Sequence, residues 1–217
     1  MQNQTDSFMT VKSIYGPESI KEKGSQFIAY LFPVDAPIDA EKHIHNLRKK
    51  YHDATHVCFA YRLKKNTDEY YRYSDDGEPG STAGVPIFNE IKGKNYYNIL
   101  VAVIRYFGGI KLGTGGLVRA YSTAARKVID SAQCEVIHIK KNTVLNFPYP
   151  LTGDMMQLLN RHSAEIIERK YTMEGVSIRC AIPLGSLEDF AQAVSDISSG
   201  KIHLSVIEES NEIQNQD

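Results

Sequence analysis

Ser74-Asp75-Asp76-Gly77-Glu78-Pro79-Gly80-Ser81-Thr82-Ala83-Gly84 and Arg105-Tyr106-Phe107-Gly108-Gly109-Ile110-Lys111-Leu112-Gly113-Thr114-Gly115-Gly116 are two glycine-rich segments on either side of a nearly unbroken apolar run at 98–106. Such a run, β-favouring and without polar alternation, predicts a strand buried on both faces, so its sheet needs a covering layer on each side. Glycine gives up side-chain burial and loses more entropy on folding, in exchange for positive φ and close approach of another group. Two such loops flanking one buried strand are where function is expected.

Upstream, residues 9–15 and 25–31 read as a strand pair linked through Gly16-Pro17 and a charged turn, and a helix opening at or just before Asp39 carries Ile44, Leu47 and Tyr51 on one face. Residues 57–63 and 69–73 form a second strand pair around Lys64-Lys65-Asn66-Thr67. A short helix at 86–91 follows the first glycine loop, and a longer one at 117–132, with Ala120, Ala124, Val128 and Ala132 along one side, follows the second. Downstream the order is β-α-β-β-α-β: a strand at 137–147, a helix capped by Thr152, strands at 165–173 and 176–183 joined through Glu174-Gly175, a helix capped by Ser186 and stopped by Gly200, and a strand at 202–207. That is the ferredoxin-like arrangement, a four-stranded sheet with two helices on one side. The expected class is α+β, with domains at 1–136 and 137–217 and a boundary near Val136.

At 217 residues either domain can bury a core without staples. Cys58, Cys134 and Cys180 are widely spaced and odd in number, which suits reduced thiols. Residues 1–10 lack a basic start followed by an apolar run, and no apolar segment approaches membrane-spanning length, so a soluble cytoplasmic protein is expected. A net charge of −1 excludes a globally basic nucleic-acid binder, but the charge is unevenly placed. Residues 91–129 contain no Asp or Glu, yet hold Lys92, Lys94, Arg105, Lys111, Arg119, Arg126 and Lys127. Asp75, Asp76 and Glu78 lie just upstream, and the tail after Ile207 is acidic and polar.

A glycine loop between a buried strand and a helix start presents unpaired N–H groups and the positive end of the helix dipole, which favour phosphate or another anion. The alternative reading is a tight strand-to-helix packing turn. Nucleotide motifs fail: Gly108 and Gly113 have P-loop spacing but Thr114 stands where the lysine belongs, and Gly113-Thr114-Gly115 has Val118 where the dinucleotide motif needs glycine. Asp75, Asp76 and Glu78 with His56 are a weak set for a divalent cation, and such carboxylates more often cap helices or pair with Arg and Lys. Gly80-Ser81-Thr82-Ala83-Gly84 has Thr82 at the centre of a nucleophile-elbow pattern with only His56 as a nearby base, which does not make a triad. Cys58 reads as strand packing. Tyr70, Tyr71, Tyr73, Tyr96, Tyr97, Tyr106 and Phe107 crowd the basic region, a combination that suits stacking of unpaired bases as well as ordinary strand packing.

Ser74 to Pro79 with Thr82-Ala83-Gly84, and Arg105 to Gly113 with Gly115-Gly116-Leu117-Val118-Arg119-Ala120-Tyr121, closely resemble the signature of the IMPACT family in its bacterial YigZ-like branch; residues 23–28 and Asp53-Ala54-Thr55-His56 also look like family positions. The resemblance implies a first domain like domain two of ribosomal protein S five and a second like the last domain of elongation factor G. Eukaryotic members regulate translation under amino-acid starvation by binding the activator of a stress kinase; that partner system is absent from bacteria, so the implication here is a broad role near translation. The expectation is a non-enzymatic protein binding RNA, the ribosome or a translation factor, with no cofactor, no metal and no catalytic residues. Its binding face is expected to comprise Asp75, Asp76, Glu78, Thr82, Arg105, Gly108, Gly109, Lys111, Gly113, Gly115, Gly116 and Arg119. The alternatives are an enzyme acting on a phosphorylated small molecule and a pure protein-interaction module. If the two loops form one site, Asp75, Asp76 or Glu78 should pair with Arg105, Lys111 or Arg119.

Overall fold

The computed structural model describes residues 6–65 and 68–207. The expected acidic tail after Ile207, residues 1–5 of the polar N-terminus, and Asn66 and Thr67 of the expected turn lie outside them. The chain divides into two units, Ser7–Ile137 and a second that runs from His138 onward and includes Asp6.

The first unit comprises β1 (Ser7–Val11), β2 (Tyr15–Glu22), β3 (Ser25–Pro33), α1 (Pro37–Lys50), β4 (His56–Lys65), β5 (Asp68–Ser74), α2 (Gly84–Gly93), β6 (Ile99–Tyr106), α3 (Gly113–Asp130) and β7 (Cys134–His138). Its main sheet has the order β2-β3-β6-β4-β5, antiparallel at every pairing. The apolar run is the central strand β6, buried from Ile99 through Arg105. Its alternate residues serve two cores. Ile99, Val101 and Val103 pack with Phe27, Ala29, Leu31, Cys58 and Ala60 beneath α2 and α3, while Leu100, Ala102 and Ile104 pack with Tyr30, Phe32, Phe59 and Tyr61 beneath α1. A strand that feeds two cores has no face left for polar residues, hence the unbroken apolar run.

Three expectations are corrected. The upstream strand pair is β2 with β3, and β1 pairs instead with β7, more than a hundred residues away. Helix α3 starts at Gly113 rather than at 117, so Gly113, Thr114, Gly115 and Gly116 form its first turn. The expected strand at 137–147 is two strands, β7 and β8 (Lys140–Phe147).

The second unit continues with α4 (Thr152–Arg161), β9 (Glu165–Tyr171), β10 (Val176–Pro183), α5 (Leu187–Ile197) and β11 (Ser205–Val206). Strand order β11-β8-β10-β9, all antiparallel, makes it ferredoxin-like. Leu145, Phe147, Ile178 and Ile182 of the sheet pack against Met155, Leu158, Leu159, Phe190 and Val194 of the two helices. The expected caps do not act as such: Thr152 is already inside α4 and donates to the Tyr149 carbonyl (2.7 Å), and Ser186 stands at the start of α5 without a side-chain cap bond. The last strand is two residues long rather than six. The protein is therefore α+β, and among the described residues no helix is long and apolar enough to cross a membrane.

Candidate functional site

Strand periodicity places the site. On the α3 side of the sheet the inward residues of β6 run Val101, Val103 and then Arg105; those of β4 run Ala60, Cys58 and then His56; those of β3 run Leu31, Ala29, Phe27 and then Ser25. Register sets Arg105 beside both Phe27 and His56, so the apolar core ends on a polar row. Both glycine segments converge on that row.

The first segment is tied down by its carboxylates. Asp75 accepts from the amides of Ser81 (2.9 Å), Ala83 (2.9 Å) and Gly84 (2.8 Å), and so caps the N-terminus of α2. Asp76, at φ 45°, accepts from the Val57 amide (2.6 Å) and pairs with Arg48 (2.7 Å). Glu78 turns inward: Oε1 accepts from Arg105 Nη1 (2.6 Å) and from the Tyr121 hydroxyl (2.7 Å), with both ion-pair side chains nearly out of solvent. The structure thus joins the two segments through Glu78 and Arg105. Asp75 and Asp76 do not take part, because amides and Arg48 occupy their oxygens.

Around that pair, the Arg105 guanidinium lies 5.5 Å from the ring centroids of Phe27 and Phe107, and its Nε is buried without an acceptor. The Cys58 thiol donates to the Asp75 carbonyl (3.0 Å), and its Sγ lies 3.3 Å from the Tyr121 hydroxyl. Burial pushes the Cys58 thiol and the Tyr121 phenol well above their ordinary ranges, so both stay protonated at neutral pH, and Cys58 is no thiolate nucleophile. His56 Nδ1 lies 2.7 Å from the Asp76 carbonyl and its Nε2 lies 3.9 Å from Glu78 Oε2.

The second segment is open. Gly108 is a packing residue: a Cβ there would sit 1.9 Å from the Gly24 carbonyl carbon, and its amide donates to Ser25 Oγ (3.2 Å). Gly109 and Gly113 have positive φ (85° and 71°) and face open space. Helix α3 has no side-chain cap and no acidic residue in its first turn, and the amides of Gly113, Thr114 and Gly115 have no acceptor among the described residues. Lys111 and Arg119 are exposed and have no ion-pair partner among the described residues. A cavity of about 390 Å³ opens between the segments, lined by His56, Glu78, Arg105, Phe107, Lys111 and Gly113 among others.

Of the residues expected at the site, Glu78, Arg105, Lys111 and Gly113 line this cavity; Gly115, Gly116 and Arg119 belong to the first two turns of α3; Gly109 precedes it. Asp75, Asp76 and Gly108 hold the loops, and Thr82 is buried with its hydroxyl donated to the Pro79 carbonyl (2.6 Å). Ser25 lies within the 23–28 family stretch but outside the expected binding face; it continues the inward alternation of Phe27 and Ala29 and accepts from the Gly108 amide. Among the described residues no cluster of three or more His, Cys, Asp or Glu is arranged to hold a metal.

Comparison with known proteins agrees with this layout. The Impact N-terminal domain matches residues 23–129, and a domain of unknown function (DUF1949) matches residues 145–201. The IMPACT family member YvyE of Bacillus subtilis (strain 168) is 31% identical over 201 residues, covering 90% of this chain and 88% of that protein. The IMPACT family member YigZ of Escherichia coli (strain K12) is 32% identical over 188 residues, covering 86% and 92%. A solved structure titled as that of a hypothetical protein superposes with a TM-score of 0.66 at 29% identity, covering 94% of this chain and 99% of its own. With relatives above 30% identity matched over most of both chains, and the Impact N-terminal domain spanning both glycine segments, the chain belongs to the IMPACT family.

Proposed function

We propose that this chain is a non-enzymatic, cytoplasmic binding protein that takes single-stranded RNA on the face between its two glycine segments and acts in the setting of translation. The observation that carries this reading is the uncapped start of α3, where the free amides of Gly113 and Thr114, the helix dipole and Lys111 meet at a cavity, with Arg119 one turn further along the helix beside Gly115. A phosphate suits that place. Phe107, 46% exposed and lining the same cavity, offers a stacking face for an unpaired base. Membership of the IMPACT family supports the translational setting that the resemblance in sequence implies.

Fluorescence anisotropy of a labelled single strand against the full chain tests this. Affinity should fall with added salt, and Lys111→Ala and Arg119→Ala should each flatten the log–log salt slope by about 0.7, the contribution of one phosphate contact on a single strand. Gly115→Glu, which places a carboxylate in the first turn of α3 where a Cβ meets nothing nearer than Arg119 Nη1 at 3.9 Å, should abolish the binding while leaving the fold at least as stable. Absence of salt-dependent binding at low salt would remove RNA and leave a protein or a small phosphorylated molecule as partner.

A further inference from the structure

The anion site leaves the floor of the cavity unexplained. Both donors to Glu78 fall on Oε1, from Arg105 and Tyr121. Oε2 accepts no hydrogen bond among the described residues; its close neighbour is His56 Nε2 at 3.9 Å, and the Glu78 side chain is only 3% exposed. The His56 tautomer follows from its other nitrogen. Nδ1 stands 2.7 Å from the Asp76 carbonyl, which only accepts, so Nδ1 carries the proton, and in the neutral ring Nε2 presents a lone pair. Two acceptors therefore lie side by side on one cavity lining, Glu78 Oε2 and His56 Nε2. On this pair of acceptors, as distinct from the Arg105 guanidinium that also lines the cavity, an amino group with two N–H donors fits and a carbonyl oxygen does not.

Resting on the RNA reading above, we infer that this cavity selects, from the bound strand, a base that carries an exocyclic amino group, and discriminates against uracil. Cytosine and adenine present an amino donor where uracil presents a carbonyl oxygen, and a carboxylate is the natural acceptor for the cytosine amine. Uracil offers a single N3–H between two carbonyl oxygens, so it can meet one of the two acceptors only by setting an oxygen toward the other, whereas an amino group carries two N–H donors. The phosphate at α3 holds the strand without reading it, whereas the floor reads it.

The test compares octacytidylate with octauridylate binding to the full chain by anisotropy at pH 8 and fixed low salt, two pyrimidine strands of equal length and charge. Octacytidylate should bind about tenfold more tightly. Octamers of N4,N4-dimethylcytidine, which keep the ring but lack the donor, should fall to the uridine level. The His56→Ala chain, lacking one of the two acceptors, should narrow the gap between cytidine and uridine strands while keeping the salt slope. Equal, salt-dependent binding of all three strands by the unaltered chain would overturn base selection while leaving RNA binding intact. No binding of any strand would defeat the RNA reading, and base selection with it.

Discussion

Helices α2 and α3 both start in glycine-rich chain on the same side of the same sheet, yet one start is closed and the other open. At α2 the carboxylate of Asp75, six to nine residues upstream of the amides it meets, supplies an anion from within the chain. At α3 no carboxylate among the described residues plays that part, and 91–129 contains no acid. An internal carboxylate turns a helix start into a structural joint; where none is present and Lys111 and Arg119 stand alongside, the proposed reading assigns the place to an outside anion. The same glycine-rich composition thus has two fates, and the placement of acids decides between them.

Breaking the joint between the two segments should have the largest effect. Arg105→Ala leaves Glu78 buried without its cation, and should cost about 3–5 kcal/mol in urea unfolding, the penalty for an uncompensated buried charge. A loss below about 1 kcal/mol would mean that the segments do not hold each other. Next, Asp75→Ala should cost about 1–2 kcal/mol by uncapping α2, while Thr114→Ala in the first turn of α3 should stay within about 0.5 kcal/mol, because its side chain caps nothing there. Equal losses from the two variants would erase the contrast.

The smallest effect is a pH control on a carboxylate at the other end of β5. A hydrogen-bonded pair with Arg62 (2.8 Å) holds the Glu69 carboxyl below its ordinary 4.5. A depressed folded-state pKa gives stability that is complete above the unfolded value and lost as pH falls through the folded one. The stability gap between the unaltered chain and Glu69→Gln should therefore be present at pH 7 and close as pH falls from about 5, followed by urea midpoints at each pH. A gap constant down to pH 3 would show that the pair does not stabilise through its charge.

Much of this was legible in the residues. The run Ile99 to Ile104 announced a strand buried on both faces because each face feeds a separate core, and the strand order of the second unit followed from local periodicities. The partner of β1 was not legible, since its pairing with β7 depends on chain far away in sequence rather than on Gly16-Pro17 nearby. The start of α3 was placed late because Gly113 to Gly116 are poor helix formers that packing of Leu117, Tyr121 and Ala124 draws into the first turn. At the site, opposite charges on the two segments pointed to an ion pair, but which acid met which base depended on strand register. Arg105 continues the inward alternation of Val101 and Val103, so it met Glu78, while Asp75 and Asp76 were taken by amides and by Arg48.

The contrast between the two helix starts is tested most directly by amide chemical shifts of the ¹⁵N-labelled full chain titrated with a short single-stranded RNA. The amides of Gly113, Thr114 and Gly115 should move in a saturable, salt-sensitive way, while those of Ala83 and Gly84, already bonded to Asp75, stay in place. Shifts centred on Ala83 and Gly84, or RNA binding that leaves 113–115 unmoved, would contradict the account.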